Sequence, residues 1–291
     1  MADEPLISRP LRPLATISRA SYQLPGGCWD THVHVFGPPE RYPHVQNPRY
    51  TLPDGTIDQY RPLMSRLGIE HFVLVQPSFY GTDNSCLLDT LRGCGDIARG
   101  VAMLDATIQD SDLRELHEVG IRAIRLDLFK RANDSPQAVR DHIDSMARKA
   151  KPLGWHLQFY APGALVLELF DFLADLPVDF VIDHMGYLHE QPGSSDKQLE
   201  RLLELLTGSH CHLKLSGSYR LAQHGSDEWI DQMARAIVER APERVLWGSD
   251  WPHISFSEVD TGELASRLAQ WAPSEQLRRA ILVDNPARLF A

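Results

Sequence analysis

The sequence has few cysteines and no long apolar run. Its four cysteines, Cys28, Cys86, Cys94 and Cys211, form no CxxC pair, which argues against a disulfide framework and favours reduced thiols. No stretch approaches the roughly 18 apolar residues that a membrane-spanning helix requires. The N-terminal stretch mixes Asp, Glu, Arg and Pro and does not form the apolar core of a signal peptide. These absences predict a cytoplasmic protein without membrane attachment.

Basic residues are in the minority. The 291-residue chain has 29 Lys and Arg against 39 Asp and Glu, which gives a formal charge of −10. Repulsion at this charge opposes binding to nucleic acid and to anionic membranes. A small anionic substrate stays compatible with it if a few arginines reverse the field locally.

Two common catalytic signatures are missing. No glycine-rich phosphate loop follows the first apolar run, which argues against a dinucleotide-binding fold. No G-x-S-x-G segment is present either, so a serine nucleophile of the α/β-hydrolase type is not expected.

What the sequence does contain is a regular alternation. Short runs rich in Val, Ile, Leu and Phe alternate with longer amphipathic stretches, a pattern typical of β/α units and a parallel sheet. The predicted strands are 28–36, 71–79, 99–106, 121–129, 155–161, 178–186, 211–219 and 244–252. Eight such strands predict a single (β/α)8 TIM barrel over residues 25–291, preceded by an N-terminal arm over residues 1–24.

Polar residues collect late in these apolar runs. In a barrel of this kind the catalytic side chains lie at the carboxyl ends of the strands, so these polar residues are expected to meet at one mouth. They are His32, His34, Gln76, Ser78, Arg125, Asp127, Tyr160, His184, Ser216, Ser218, Asp250 and His253.

Each of these signals also has a structural interpretation. The two histidines of "HVH" point to the same face of a strand and could be hydrogen-bonded core residues. Asp183 could pair with a helix or a backbone amide, and Arg125 and Arg131 could pair with helix carboxylates. The joint pattern favours a functional site.

With these residues in place, the sequence resembles the amidohydrolase superfamily, whose barrels open with HxH on the first strand and carry an Asp at the end of the eighth. The segments "DTHVHVFGP", "VIDHMG", "WGSDWPH" and "NPARLF" carry the resemblance, which extends from about residue 27 to the C-terminus. The likeness is strongest to the amidohydrolase-related lactonases that act on pyrone dicarboxylates.

The resemblance implies roles for individual residues. Asp250 corresponds to the general base that activates water, and His32, His34 and His184 correspond to the group that polarises the lactone carbonyl and orients the base. The residues implied in substrate binding are Tyr50, Ser78, Arg125, Arg131, Tyr160 and His253.

The sequence departs from the metal-dependent members of the superfamily. Those proteins usually supply a His or a modified Lys from the middle strands, whereas here these positions are Arg125, Asp127, Gln158 and Tyr160. A single zinc or manganese ion remains the alternative, with ligands His32, His34, His184 and Asp250. Because two nearby guanidinium groups would repel a dication, we expect no metal or other cofactor.

These inferences predict metal-independent hydrolysis of a carboxylated lactone in the catabolism of aromatic or sugar acids. The alternatives are a metal-dependent decarboxylase or hydrolase of the same superfamily, a lactone isomerase and, outside enzymes, a dicarboxylate-binding module. The expected partner is a small anionic lactone, and the oligomeric state stays open.

Overall fold

A computed structural model describes residues 12–44 and 55–291. Over these ranges eight strands form one parallel sheet in the order β1 to β8, which confirms the predicted TIM barrel. The strands are β1 Trp29–Val33, β2 His71–Val75, β3 Ala98–Ala102, β4 Ile121–Asp127, β5 His156–Tyr160, β6 Phe180–Ile182, β7 Cys211–Leu215 and β8 Val245–Trp247.

Helices follow the strands along the chain and cover the outside of the sheet. Their apolar residues are buried and form one continuous hydrophobic cluster with the outward-facing strand residues. In the described residues the helices are α1 Ile57–Leu67, α2 Ser85–Cys94, α3 Asp110–Val119, α4 Pro136–Ala150, α5 Gly163–Glu168, α6 Phe170–Ala174, α7 Ser195–Gly208, α8 Ser218–Leu221, α9 Asp227–Arg240, α10 Thr261–Trp271, α11 Glu275–Arg279 and α12 Asn285–Phe290. None of them is long and apolar enough to cross a lipid bilayer.

The barrel is closed by backbone hydrogen bonds between β1 and the segment that follows β8. The His34 amide donates to the Trp251 carbonyl at 2.8 Å, and the Asp250 amide donates to the His32 carbonyl at 2.9 Å. Val33 pairs with Trp251 in a parallel bridge. This seam places the HxH segment directly beside Asp250.

The strands end earlier than the apolar pattern predicts. β6 ends at Ile182 and β8 ends at Trp247, so His184 and Asp250 lie in the turns that leave the sheet. Both have positive backbone φ angles, +50° and +62°. Residues other than glycine rarely adopt such angles, and those that do cluster at functional sites. Met185 and Trp251 in these turns are buried, so apolar residues occur beyond the strand ends.

The C-terminal helix closes the opposite end of the barrel. Phe290 of α12 is fully buried and lies 6.1 Å from the Trp29 ring and 4.9 Å from the His156 ring, measured between centroids. Arg99 donates from Nε to the Phe290 carbonyl at 3.1 Å. The end of the chain therefore forms the floor of the barrel interior.

The described part of the arm, residues 12–24, contains no helix or strand and lies against α10. The Ser18 amide donates to the Asp260 carboxylate at 2.9 Å, and the Ser21 amide donates to Ser266 Oγ at 2.9 Å. Ile17 and Leu24 are buried, so part of the arm packs on the core.

Buried His156 makes stability depend on pH. Neither of its ring nitrogens has a hydrogen-bond partner among the described residues, and burial, assisted by Lys214, lowers its pKa to about 3. Below about pH 6.5 the unfolded chain therefore binds a proton at His156, whereas the folded chain does not until the pH approaches 3. The free energy of unfolding decreases as the pH falls between these two values.

We expect His156→Phe to reduce the stability lost between pH 7 and pH 5 by about 2 kcal/mol, measured by urea unfolding. Equal losses in both proteins would contradict this role for the buried imidazole.

Candidate active site

The four residues predicted to be catalytic meet at the carboxyl end of the barrel. His32 Nε2 lies 3.3 Å from His34 Nε2, and Asp250 Oδ1 lies 3.7 Å from the first and 3.6 Å from the second. The His184 ring is 4.8 Å from the His32 ring. All four side chains are buried, so the expectation that they share one site matches the structure, while their individual roles stay predictions.

Asp250 offers one free and one engaged carboxylate oxygen. Oδ2 accepts hydrogen bonds from the Tyr219 hydroxyl at 2.6 Å and from Arg220 Nε at 2.7 Å. Oδ1 has no hydrogen-bond partner among the described residues. Burial by itself raises the pKa of this carboxyl, but Arg220 and the nearby imidazoles outweigh burial and hold the pKa well below its usual range. Asp250 is therefore ionised, and one oxygen is available to accept a proton.

The imidazoles are neutral near pH 7. Burial lowers the pKa of His32 and His34 and lowers that of His184 to about 4. His34 Nδ1 lies 2.7 Å from the Val75 carbonyl, which only accepts, so the ring hydrogen of His34 is on Nδ1 and its Nε2 carries a lone pair. His184 Nδ1 lies 2.9 Å from Ser216 Oγ, whose hydroxyl can donate or accept.

A buried lysine lies next to this cluster. Lys214 Nζ is 2.8 Å from Gln158 Oε1, 3.4 Å from His32 Nδ1 and 3.5 Å from Asp183 Oδ1. Burial lowers the pKa of Lys214 to about 8, and the Asp183 carboxylate opposes a further decrease, so it is an ammonium at neutral pH. Burial raises the pKa of Asp183, yet His32 and Lys214 together hold it below its usual range.

Arg125, predicted to bind substrate, is buried at the same mouth. It donates to the Gln76 carbonyl, while its Nε has no hydrogen-bond partner among the described residues. Its guanidinium carbon lies 5.1 Å from the centre of the Tyr160 ring, and its charge depresses the pKa of His34 and His184. A donor of this kind, beside the imidazoles and without a partner, can bind an anion.

Aromatic rings line one side of this mouth. Tyr160 lies 4.5 Å from Phe129, 5.5 Å from Tyr187 and 6.0 Å from His184, measured between centroids. Phe129 is 38% exposed, the only large hydrophobic side chain so exposed in the part of the chain that the structure describes. These rings form an aromatic wall beside His184 and Arg125.

The other predicted binding residues differ in position. His253 Nδ1 is 3.3 Å from the Tyr219 hydroxyl, which in turn donates to Asp250 Oδ2. Ser78 donates to Asp127 at 2.7 Å. Arg131 pairs with Asp134 at 2.8 Å and has no described contact with the imidazole cluster. Tyr50 lies outside the described residues.

Three residues beside the cluster were missed from the sequence: Lys214, Tyr219 and Arg220. The alternation of β7 could have identified Lys214, because it lies two positions before Ser216 and shares its face. Tyr219 and Arg220 belong to the short helix α8, and no strand pattern indicates that a side chain there turns back to Asp250.

Glycines bring the elements close enough to form the site. A Cβ on Gly217, whose φ is +65°, would lie 2.8 Å from His184 Nδ1. A Cβ on Gly248 would lie 2.6 Å from His32 Cβ and 2.8 Å from the His32 amide nitrogen. Only glycine lets the segment after β8 approach β1 this closely.

Two groups of donors have spacings that suit a divalent ion. In the described residues they are His32 with His34 and Asp250, and His32 with Asp183 and His184, with the ligand atoms of each group within 4.8 Å of one another. The spacing and ligand types of the first group suit one zinc or manganese ion. The charges do not fit, because the Lys214 ammonium lies against His32 and Asp183 and the Arg220 guanidinium already binds Asp250.

We expect Gly248→Ala to disturb His32 in particular. The added methyl group must displace the His32 backbone, and overpacking of this kind costs about 1–3 kcal/mol. Thermal unfolding and the histidine NMR signals of the variant measure the two effects. A variant with unchanged melting temperature and unchanged His32 signals would show that the seam tolerates the extra carbon.

Comparisons with known proteins agree with this architecture. The chain is 35% identical to a 4-sulfomuconolactone hydrolase of Rhizobium radiobacter, covering 96% of this chain and 94% of the relative. It is 33% identical to a 2-pyrone-4,6-dicarboxylate hydrolase of Comamonas testosteroni, with coverages of 95% and 94%. Among solved structures, a probable 2-pyrone-4,6-dicarboxylic acid hydrolase of Acinetobacter baumannii with citric acid bound superposes with a TM-score of 0.77 at 29% identity, covering 91% of this chain and 99% of that chain. The amidohydrolase family profile matches residues 29–291, and the chain therefore belongs to the amidohydrolase family.

Proposed function

We propose that this protein hydrolyses a carboxylated lactone of the 2-pyrone-4,6-dicarboxylate type without a metal ion. One observation carries the proposal. Two buried groups of opposite charge, Asp250 Oδ1 and Arg125 Nε, have no hydrogen-bond partner among the described residues, and both residues lie near His34 and His184. A substrate that brings a water molecule to the carboxylate and an anionic group to the guanidinium satisfies both.

The charge balance of the site supports an anionic substrate. Lys214 faces Asp183, and Arg220 binds Asp250. Among the described residues Arg125 has no carboxylate within ion-pair distance, which leaves the mouth with an unbalanced positive charge. An arginine fork matches a carboxylate, and the aromatic wall of Phe129, Tyr160 and Tyr187 offers an apolar surface to a ring. The tricarboxylate in the Acinetobacter relative and the names of the two hydrolases favour the same substrate class.

The proposed reaction uses a water molecule held by Asp250. Oδ1 of this carboxylate has no hydrogen-bond partner among the described residues, so a water bound beside the imidazoles donates a hydrogen to it. As its oxygen attacks the lactone carbonyl, one proton passes to Asp250. The ring C–O bond then breaks, and the departing oxygen takes up the proton held by Asp250. The single product is the ring-opened acid, which carries a new carboxyl group and a hydroxyl or keto group.

Hydrogen-bond donors stabilise the negative charge that develops on the carbonyl oxygen. We assign this role to an N–H of His184, whose ring lies 4.8 Å from the His32 ring, and removal of a donor of this kind commonly costs about 10²-fold to 10³-fold in rate. In this proposal preorganised imidazole dipoles supply the stabilisation that a Lewis acid supplies in metal-dependent hydrolases.

The variant Asp250→Asn tests the role of the base. We expect kcat to fall by at least about 10²-fold because an amide does not accept the proton of water, whereas substrate affinity measured by calorimetry changes little. Asp105→Asn, in the exposed loop after β3, is the matched control and should keep wild-type turnover. Wild-type kcat in Asp250→Asn would refute this assignment.

A substrate panel tests the reaction class and the absence of a metal. We expect carboxylated lactones to be hydrolysed, with kcat/KM about 10²-fold lower for an analogue that lacks the carboxylate, because the interaction with Arg125 is lost. Turnover should be unaffected by EDTA, and one ¹⁸O atom from labelled water should enter the product. Stoichiometric zinc or manganese with activity lost to the chelator would overturn the metal-free reaction, and product without ¹⁸O would indicate isomerisation.

A further inference from the structure

We propose that Lys214 is a positioning residue that sets the tautomer of His32 and thereby keeps the group His32, His34 and Asp250 from binding a metal ion tightly. The inference rests on the proposed metal-free reaction only where it explains why weak metal binding matters. The tautomer of His32 and the zinc affinity of the protein are measurable without any substrate.

The Lys214 ammonium has two hydrogen-bond acceptors, Gln158 Oε1 at 2.8 Å and His32 Nδ1 at 3.4 Å. It also forms an ion pair with Asp183 Oδ1 at 3.5 Å, an oxygen without a hydrogen-bond partner among the described residues. Gln158 Nε2 donates to the second oxygen of Asp183 at 3.1 Å, so the amide is oriented with its oxygen toward the lysine. Lys214, Gln158 and Asp183 are 0%, 0% and 1% exposed, and no bulk water competes for these contacts.

The ammonium determines which nitrogen of His32 carries the hydrogen. A lysine ammonium only donates, so the ring nitrogen that faces it, Nδ1, presents a lone pair, and the single hydrogen of the neutral ring is on Nε2. That N–H points toward His34 Nε2, 3.3 Å away. His34 Nε2 has a lone pair because the hydrogen of this ring is on Nδ1, bonded to the Val75 carbonyl. A metal ion bound between these nitrogens needs a lone pair from both rings, and His32 has a hydrogen there.

Without the ammonium, the same residues would favour the opposite tautomer. His32 Nδ1 lies 3.3 Å from Asp183 Oδ1, close enough to donate to this carboxylate. The hydrogen would then be on Nδ1 and the lone pair on Nε2, facing His34 Nε2 and Asp250 Oδ1. A carboxylate behind a histidine in this way is a common arrangement at zinc sites and raises affinity for the metal. Lys214 competes with His32 for Asp183 and prevents it.

Zinc titration of chelator-stripped protein, against a chromophoric competitor, tests the proposal. We expect Lys214→Met to lower the zinc Kd by about 10-fold to 100-fold, the range that outer-shell partners typically control. Lys197→Met, an exposed lysine of α7, is the matched control and should bind zinc as the wild type does. Long-range ¹⁵N–¹H spectra of histidine-labelled protein report the tautomer directly, with the His32 hydrogen on Nε2 in the wild type and on Nδ1 in Lys214→Met.

Either of two results would overturn the proposal: wild-type protein that binds zinc as tightly as Lys214→Met, or a wild-type His32 with its hydrogen on Nδ1. The tautomer measurement needs only the wild type, so it stays decisive even if the variant does not fold. Failure of lactone hydrolysis would affect neither readout, and a metal-free lactonase with His32 protonated on Nδ1 would refute the role of Lys214 alone.

Discussion

The seam of backbone hydrogen bonds between β1 and the segment after β8 is the constraint on which the site depends. Asp250 and His32 are 218 positions apart in the numbering of the chain, yet the amide of one donates to the carbonyl of the other. Asp30 reinforces the seam, because its carboxylate accepts from the Ser249 amide at 2.8 Å and from the Tyr60 hydroxyl at 2.9 Å. Backbone hydrogen bonds of the barrel seam therefore position Asp250 and the HxH pair relative to each other.

Burial of charge within this seam explains the chemistry of the site. Isolated charges are costly in a buried site, and the protein meets this cost by pairing Lys214 with Asp183 and Arg220 with Asp250. The pairing keeps both carboxylates ionised and leaves the surrounding imidazoles neutral. Each neutral imidazole has one N–H donor and one lone pair, whereas a protonated imidazole has two donors and no acceptor.

The fold was predictable because strands buried on both faces leave nearly continuous apolar runs in the sequence. The same property made the strand ends hard to locate, since the turns at His184 and Asp250 are buried like the strands before them. The imidazoles and Asp250 were found because polar residues stand out at the end of an apolar run. Lys214 lies inside such a run, where only alternation distinguishes an inward from an outward side chain. A binding role for Arg131 stays a prediction, and its partner in the structure is Asp134.

The position of α12 at the floor of the barrel affects how substrate and product reach and leave the site. Phe290 fills the lower end of the barrel, and Arg122 Nε donates to the Ala291 carbonyl at 2.9 Å, which holds the end of α12 in place. Because this end is filled, we expect substrate and product to use the same opening, at the carboxyl end of the barrel. Product then has to leave before the next substrate molecule can bind, so the rate of product release limits the rate of substrate binding.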